Sequence, residues 1–341
     1  MENEDYVYDY TNYSNTAPKG PCDREQDNRL GAQLSVLYYF MFVFSFLGNG
    51  LVLGIIHRFE RLTTVTNILL LNLVLSSLVF MSSLPFLAVY MQLSNWVFGG
   101  AMCKLVGSVY YLGYYSSVLF LTLLTFDRHL AVVYSLGAPR VRSRRYAAAA
   151  CGVVWLVSGL ACIRPMILHT TFYNQLDRRT FCEEHGGNLS GISIHQLTTA
   201  GFYLQLFLFL VFPLLVIVYC YVRIAITVVS SKLVTKFRTV RLISVIVVLF
   251  FACWTPFNVV LLLLERSEAL GCEESRRLGY ALQITRIITY SYFVVSPVFY
   301  TFVGQKFQNY FRQLMAKRFP SLKQEVTVRS NSSTKATPNE L

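Results

Sequence analysis

The sequence predicts an all-α membrane protein: a seven-transmembrane helix bundle followed by a short amphipathic helix on the membrane surface. Three observations lead there. Of the 341 residues, 54% are hydrophobic, 15% aromatic and only 14% charged, and mean hydropathy is +0.47. A soluble domain carries roughly 25% charged residues, so this chain lacks the polar surface to stay in water, which excludes disordered, fibrous and ordinary cytosolic classes. Seven apolar runs are long enough to cross hydrocarbon, which takes roughly 20 helical residues. These runs are continuous and do not alternate with period two, so helices, not barrel strands, satisfy the backbone in lipid.

The runs lie at Leu34–His57, Asn67–Gln92, Cys103–Tyr134, Tyr146–His169, Thr198–Ile226, Leu242–Leu264 and Tyr280–Val303. Residues 1–33 are acidic, polar and rich in Tyr, with no short apolar core behind a basic start. The first span is therefore expected to act as its own insertion signal, within a helix domain covering 34–303. In residues 304–319, Phe307, Phe311, Leu314 and Met315 share one face, ringed by Lys306, Arg312, Lys317 and Arg318, the pattern of a helix lying on a membrane surface. Residues 320–341 form a Ser/Thr-rich tail, expected to be mobile.

The net charge of +12 would suggest a nucleic acid in a soluble protein, but its distribution says otherwise. An odd number of crossings puts the ends on opposite sides, and one side holds 19 of the 30 basic residues against 4 of the 18 acidic ones. That side, at +15, is expected to be cytoplasmic with the C-terminus, leaving −3 outside with the N-terminus. No nucleic-acid partner is expected; membrane lipid and cytoplasmic proteins face the basic side.

Charges inside spans are costly and mark function. The clear cases are Asp127 and Arg128 at the inner end of the third span, Arg286 in the outer seventh and Arg164 at the outer end of the fourth. No midplane Asp, Glu or His suggests a proton pump or transporter, no lysine in the seventh span could carry retinal, and no metal-ligand or nucleotide motif occurs. The expectation is no enzyme activity, no cofactor and no metal.

Each span carries a landmark. Gly48-Asn49 lies in the first, Asn72-Leu-x-Leu-Ser in the second, and Cys103 and Asp127-Arg128-His129 at the two ends of the third. Trp155 follows in the fourth, Pro213 and Tyr221 in the fifth, Cys253-Trp254-x-Pro256 in the sixth and Ser296-Pro297-x-x-Tyr300 in the seventh. In this order and spacing they resemble the rhodopsin-like (class A) G-protein-coupled receptors over nearly the whole chain. Pro256 and Pro297 each remove a backbone hydrogen bond and bend their helices. The resemblance implies that Trp254 couples ligand to helix rotation. It also implies that Arg128 pairs with Asp127 at rest and turns toward a G protein, Tyr221 and Tyr300 on activation, a two-state element. The plainer reading of Asp127 and Arg128 is an interfacial ion pair.

Four cysteines lie on the expected outer side, Cys22, Cys103, Cys182 and Cys272, and four allow three pairings. Together with Trp96-Val97-Phe98-Gly99, Ser83-Leu84-Pro85 and Asp127-Arg128-His129-Leu130-Ala131-Val132-Val133, they resemble the chemokine receptors. That family's pattern implies Cys103–Cys182 and Cys22–Cys272 bridges. Gly279-Tyr280-Ala281-Leu282-Gln283-Ile284-Thr285-Arg286 is similar to the XC-class (lymphotactin) receptors, which carry Arg where most relatives have Glu.

The first residues interleave Tyr6, Tyr8, Tyr10 and Tyr13 with Glu2, Glu4, Asp5 and Asp9. Sulfation there would deepen a negative strip able to steer a basic ligand; the bland alternative is a solvated acidic tail. Asn12 and Asn188 stand in glycosylation sequons. By family position, Tyr38, Tyr110, Tyr114, Arg286 and Tyr290 face a ligand cavity, with Arg286 meeting an acidic group or carbonyl of the ligand; alternatively Glu265 or another outer acid holds Arg286. Tyr111 and Tyr115 are assigned to packing. The resemblance implies a receptor for a basic chemokine that activates a heterotrimeric G protein of inhibitory class, with receptor kinases and arrestin acting on the tail. Three departures leave open an atypical scavenger: Ser77 and Ser296 stand where class A has Asp and Asn, and His129 where it has Tyr. Ser77 also removes the charge that would hold a sodium ion.

Overall fold

The structure is a computed structural model and describes residues 25–59, 64–134, 143–175, 178–184, 194–231, 237–265 and 272–303. The first span is α1 (Glu25–Phe59), closed by His57 and Arg58 in its last turn, where cations favour the helix dipole. It begins nine residues before the apolar run, because a helix nucleated in lipid propagates outward at little further cost.

The second span is two helices, α2 (Val65–Met81) and α3 (Leu84–Leu93). Thr64 caps α2 by accepting from the Asn67 amide at 3.3 Å. At the break, the Ser82 and Ser83 hydroxyls donate back to the Val79 and Phe80 carbonyls, each at 2.7 Å, just before Pro85. The third span is α4 (Gly99–Val133), which crosses α2 closely. A Cβ on Gly113 would stand 2.5 Å from the Phe80 backbone, so only glycine fits there.

The fourth span is α5 (Arg144–Ala161), capped by Ser143, followed by α6 (Ile163–Leu168). An antiparallel hairpin then leaves the bundle, β1 (His169–Asn174) and β2 (Arg179–Glu184), with Thr171 opposite Cys182. The fifth span is α7 (Ile194–Leu206), one π turn (Phe207–Val211) and α8 (Phe212–Ser231). The sixth and seventh are α9 (Phe237–Glu265) and α10 (Cys272–Val303), each with an internal proline.

Six of these spans, at Gly31–Arg58, Val65–Leu93, Gly99–Val133, Arg144–Leu168, Thr198–Ser230 and Ile243–Glu265, are long and apolar enough to cross a membrane. The seventh, α10, carries Glu273, Glu274, Arg276 and Arg277 in its outer turns and Arg286 further in. Large apolar side chains such as Phe40, Phe44, Leu47, Leu156, Leu160, Leu204 and Leu215 point outward, as lipid-facing residues do.

The core centres on an aromatic layer. Trp254 is fully buried and stacks on Tyr114 with ring centres 4.0 Å apart, and Phe80 stacks on Phe293 at 4.3 Å. Phe250 and Phe257 close the remaining sides of Trp254.

Two proline bends are braced from neighbouring spans. Pro297 has no N–H for the Phe293 carbonyl, and that oxygen accepts from Ser45 at 3.0 Å and Asn49 at 3.1 Å. Pro213 likewise leaves the Phe209 carbonyl in the π turn, which accepts from the Tyr114 hydroxyl at 3.3 Å.

Candidate ligand cavity and inner latch

The hairpin is seated over the outer end of the bundle by three devices. Cys103 at the start of α4 is bridged to Cys182 in β2, with Cα atoms 5.7 Å apart. Thr180 is held twice, its carbonyl by the Trp96 amide at 2.8 Å and its amide by the Asn95 side chain at 2.7 Å. Trp96, Phe98, Phe86 and Tyr90 pack edge to face around the bridge. Cys22 lies outside the described residues, as do Tyr6, Tyr8, Tyr10, Tyr13, Asn12, Asn188 and the expected surface helix.

Beneath the hairpin, the expected cavity residues converge from three spans. Tyr38 and Tyr290 meet edge to face at 5.2 Å, and Tyr110 lies 6.3 Å from Tyr290 and 4.8 Å from Phe80. The hydroxyls of Tyr110 and Tyr290 are hydrogen-bonded to each other, and that of Tyr38 is buried beside them. All three lie in the electrostatic field of Arg286, which is half-buried and has no carboxylate partner among those residues. Tyr114 sits deeper, under Trp254, and supports the floor.

Glu265 accepts from Thr199 at 2.6 Å and forms no ion pair with Arg286. Tyr111 packs against the core and against Tyr110 and Tyr115, and its edge lines a small outer cavity with Arg164, Glu184, Gln205 and Glu265. Tyr115 does pack, stacked on Phe209 at 3.9 Å, and it donates to Gln205 at 2.8 Å. Arg164 is a brace: it reaches Glu184, the Thr198 carbonyl and Gln205, all at 3.4 Å, and crosses α7 where Gly201 leaves room for it.

At the inner end, Asp127 is buried and lies 3.7 Å from Arg128. Thr66, at the start of α2, donates to Asp127 at 2.9 Å and accepts from Arg128. Tyr221 of α8 lies within electrostatic reach of Arg128 and beside Ser244 and Thr125. Thr66 had no signal in the sequence, since a lone threonine at a helix start reads as a cap. Tyr300 lies in α10, and Pro256 faces outward on α9.

Residues 48–300 match the family model of the 7 transmembrane receptor (rhodopsin family). The human C-C chemokine receptor type 1 is 37% identical over 316 residues, covering 91% of this chain and 87% of the relative. Human C-C chemokine receptor type 8 is 36% identical, covering 87% and 83%, and the type 3 receptor of Cavia porcellus is 33% identical, covering 86% and 82%. The chain belongs to the chemokine receptors. It is therefore a multi-pass plasma-membrane receptor and not an enzyme.

The receptor's departures from the class pattern are all buried. The Ser77 hydroxyl donates to its own helix at the Leu73 carbonyl, 2.9 Å away. Ser117 and Ser296 have hydroxyls without a partner among the described residues. His129 is buried against Phe126, Tyr134 and Tyr219, with both ring nitrogens unpartnered. No group of three His, Cys, Asp or Glu suited to a metal occurs among the described residues.

Proposed function

We propose that this receptor binds a basic chemokine with its N-terminus outside the cell and its C-terminus inside, and activates a heterotrimeric G protein of the inhibitory class, driving chemotaxis and calcium signalling. The observation that carries this reading is the inner latch, in which Arg128 is shared between Asp127 and Thr66 with Tyr221 in reach. Charge-assisted hydrogen bonds of this kind contribute about 1.5–3 kcal/mol each. A ligand that prefers the released state by a thousandfold supplies about 4 kcal/mol, enough to open such a latch.

The acidic segment with Tyr6, Tyr8, Tyr10 and Tyr13 would steer the ligand's basic surface, and Tyr38, Tyr110, Tyr114, Arg286 and Tyr290 would take its N-terminal residues. The stretch Gly279–Arg286, with Arg where most relatives carry Glu, supports an XC-class ligand preference. Receptor kinases and arrestin would act on the tail, and anionic lipid would face the basic inner side.

A second reading, an atypical scavenger with little G-protein coupling, draws on His129 and on the Ser77 and Ser296 replacements. One experiment separates the two: G-protein activation in cells across a chemokine panel, with Arg128→Ala at matched surface expression. The signalling reading expects a response that Arg128→Ala abolishes. Binding and uptake with no Arg128-dependent signal assign the receptor to the scavengers.

A further inference from the structure

An unbroken line of contacts runs from the outer hairpin down to Trp254. Glu184 ends β2 and pairs with Arg164 at 3.4 Å. The same guanidinium donates to the Thr198 carbonyl of α7 and to Gln205, again at 3.4 Å. Gln205 Oε1 also accepts from the Tyr115 hydroxyl at 2.8 Å, and the Tyr115 ring stacks on Phe209 of the π turn with centres 3.9 Å apart. The Phe209 carbonyl takes the Tyr114 hydroxyl at 3.3 Å, and Tyr114 stacks on Trp254 at 4.0 Å. Gln205, Tyr115, Phe209, Tyr114 and Trp254 are all buried, so these contacts are shielded from water. Gly201 is what lets the line cross α7: a Cβ there would collide with the Arg164 side chain.

The π turn is the element in this line that can exist in two forms. The Phe212 amide reaches back five residues to the Phe207 carbonyl, one more than an α-helix spans. Wound to a regular ladder, the turn would rotate the outer part of the fifth span by about 100° against α8. That rotation would carry Gln205 away from Tyr115 and the Phe209 carbonyl away from Tyr114. At the inner end of the same structure Arg128 is held by Asp127 and Thr66, so the π form and the closed latch occur together. Contacts made in one state alone set the balance between two states.

We propose that Arg164 and Gln205 are positioning residues for activation: they tie the hairpin to the π turn, keep Trp254 seated on Tyr114, and hold the receptor in its latched state until the hairpin shifts. This rests on the signalling reading above. It gives Trp254 a second input, from the hairpin through the fifth span, besides the aromatic cluster around Arg286.

The test reads ligand-independent G-protein activation in cells, per receptor at the surface, with surface amount taken from an appended N-terminal epitope. Three variants cut the line at different points. Glu184→Gln weakens it at the hairpin, Gly201→Ala displaces Arg164 without altering any charge, and Gln205→Leu removes the acceptor for Tyr115. Each should raise basal signalling roughly threefold or more above the native receptor, and adding Arg128→Ala should abolish the rise. Gln205→Glu keeps the acceptor and adds a charge facing Arg164, so its basal signal should stay at or below the native level. A fault in folding alone would lower the signal in all four and would not separate Leu from Glu at residue 205. Native basal levels in Glu184→Gln, Gly201→Ala and Gln205→Leu, with an Arg128-dependent chemokine response intact, overturn the positioning role and leave the signalling reading standing. No Arg128-dependent signal from the native receptor or any variant overturns both.

Discussion

At the scale of single residues, this bundle is held at its bends by side chains that capture what proline releases. The Phe293 carbonyl, freed by Pro297, is taken by Ser45 and Asn49, whose positions in the chain are 248 and 244 residues away. Asn49 also donates to the Ser45 carbonyl at 2.9 Å, so one amide serves two spans. Ser45→Ala with Asn49→Ala should leave that buried oxygen without a donor and cost about 2–4 kcal/mol, from two hydrogen bonds and the unpaired acceptor. The checking measurement is thermal unfolding of the purified receptor in detergent. Either single variant should cost less than half of that, because the remaining partner still donates. The prolines, Trp254 and Asp127-Arg128 were legible in the sequence because their chemistry is local. Thr66, the donors to Phe293 and the demand for glycine at residue 113 were not, since each is defined by a partner on another helix.

At the scale of elements, the sequence signalled neither the π turn nor the hairpin. The π turn arises where Pro213 breaks the regular ladder, and it delivers the Phe209 carbonyl to Tyr114, directly under Trp254. A fourth hold on the hairpin, at its base, is His169, whose ring lies against Gly107 and whose Nδ1 bonds the Pro165 carbonyl at 2.8 Å. Burial depresses the His169 pKa below its ordinary value, opposed by Glu184 and by the Pro165 carbonyl and assisted by Arg164 and Lys104. A depressed imidazole folds best neutral, so its contribution is complete above the unfolded value near 6.5 and is lost as pH falls through the lower folded value. Lowering the external medium from about pH 7.5 to about 5.5 should therefore loosen the hairpin's base. Hydrogen exchange at residues 169–184 checks this: the native chain should exchange faster at the acid pH after correction for intrinsic rates, and His169→Gln should show no such change.

At the scale of the whole molecule, composition and continuous apolar runs were enough to give seven helices, because lipid leaves the backbone few alternatives. The span limits came out short at their ends, as α1 and α10 begin nine and eight residues before the apolar runs read from sequence. Hydropathy marks only where lipid begins. Arg164 looked like a functional charge and turned out to be a brace, because its role depends on Glu184, Gln205 and Gly201 meeting in three dimensions. Glu265 carried no motif at all. The seventh helix bears on how the receptor is made. It carries Arg286 within the span, a charge that costs about 2.5–3.5 kcal/mol to insert near a helix centre, and it is held by Ser45 and Asn49 and by Tyr38 against Tyr290. Integration of this last segment during synthesis is therefore expected to lean on the helices already inside, which makes it a checkpoint on the earlier ones. Glycosylation mapping should show residues 280–303 integrating inefficiently as a lone segment and almost completely when the six earlier spans precede it. Efficient integration of the lone segment would remove the checkpoint.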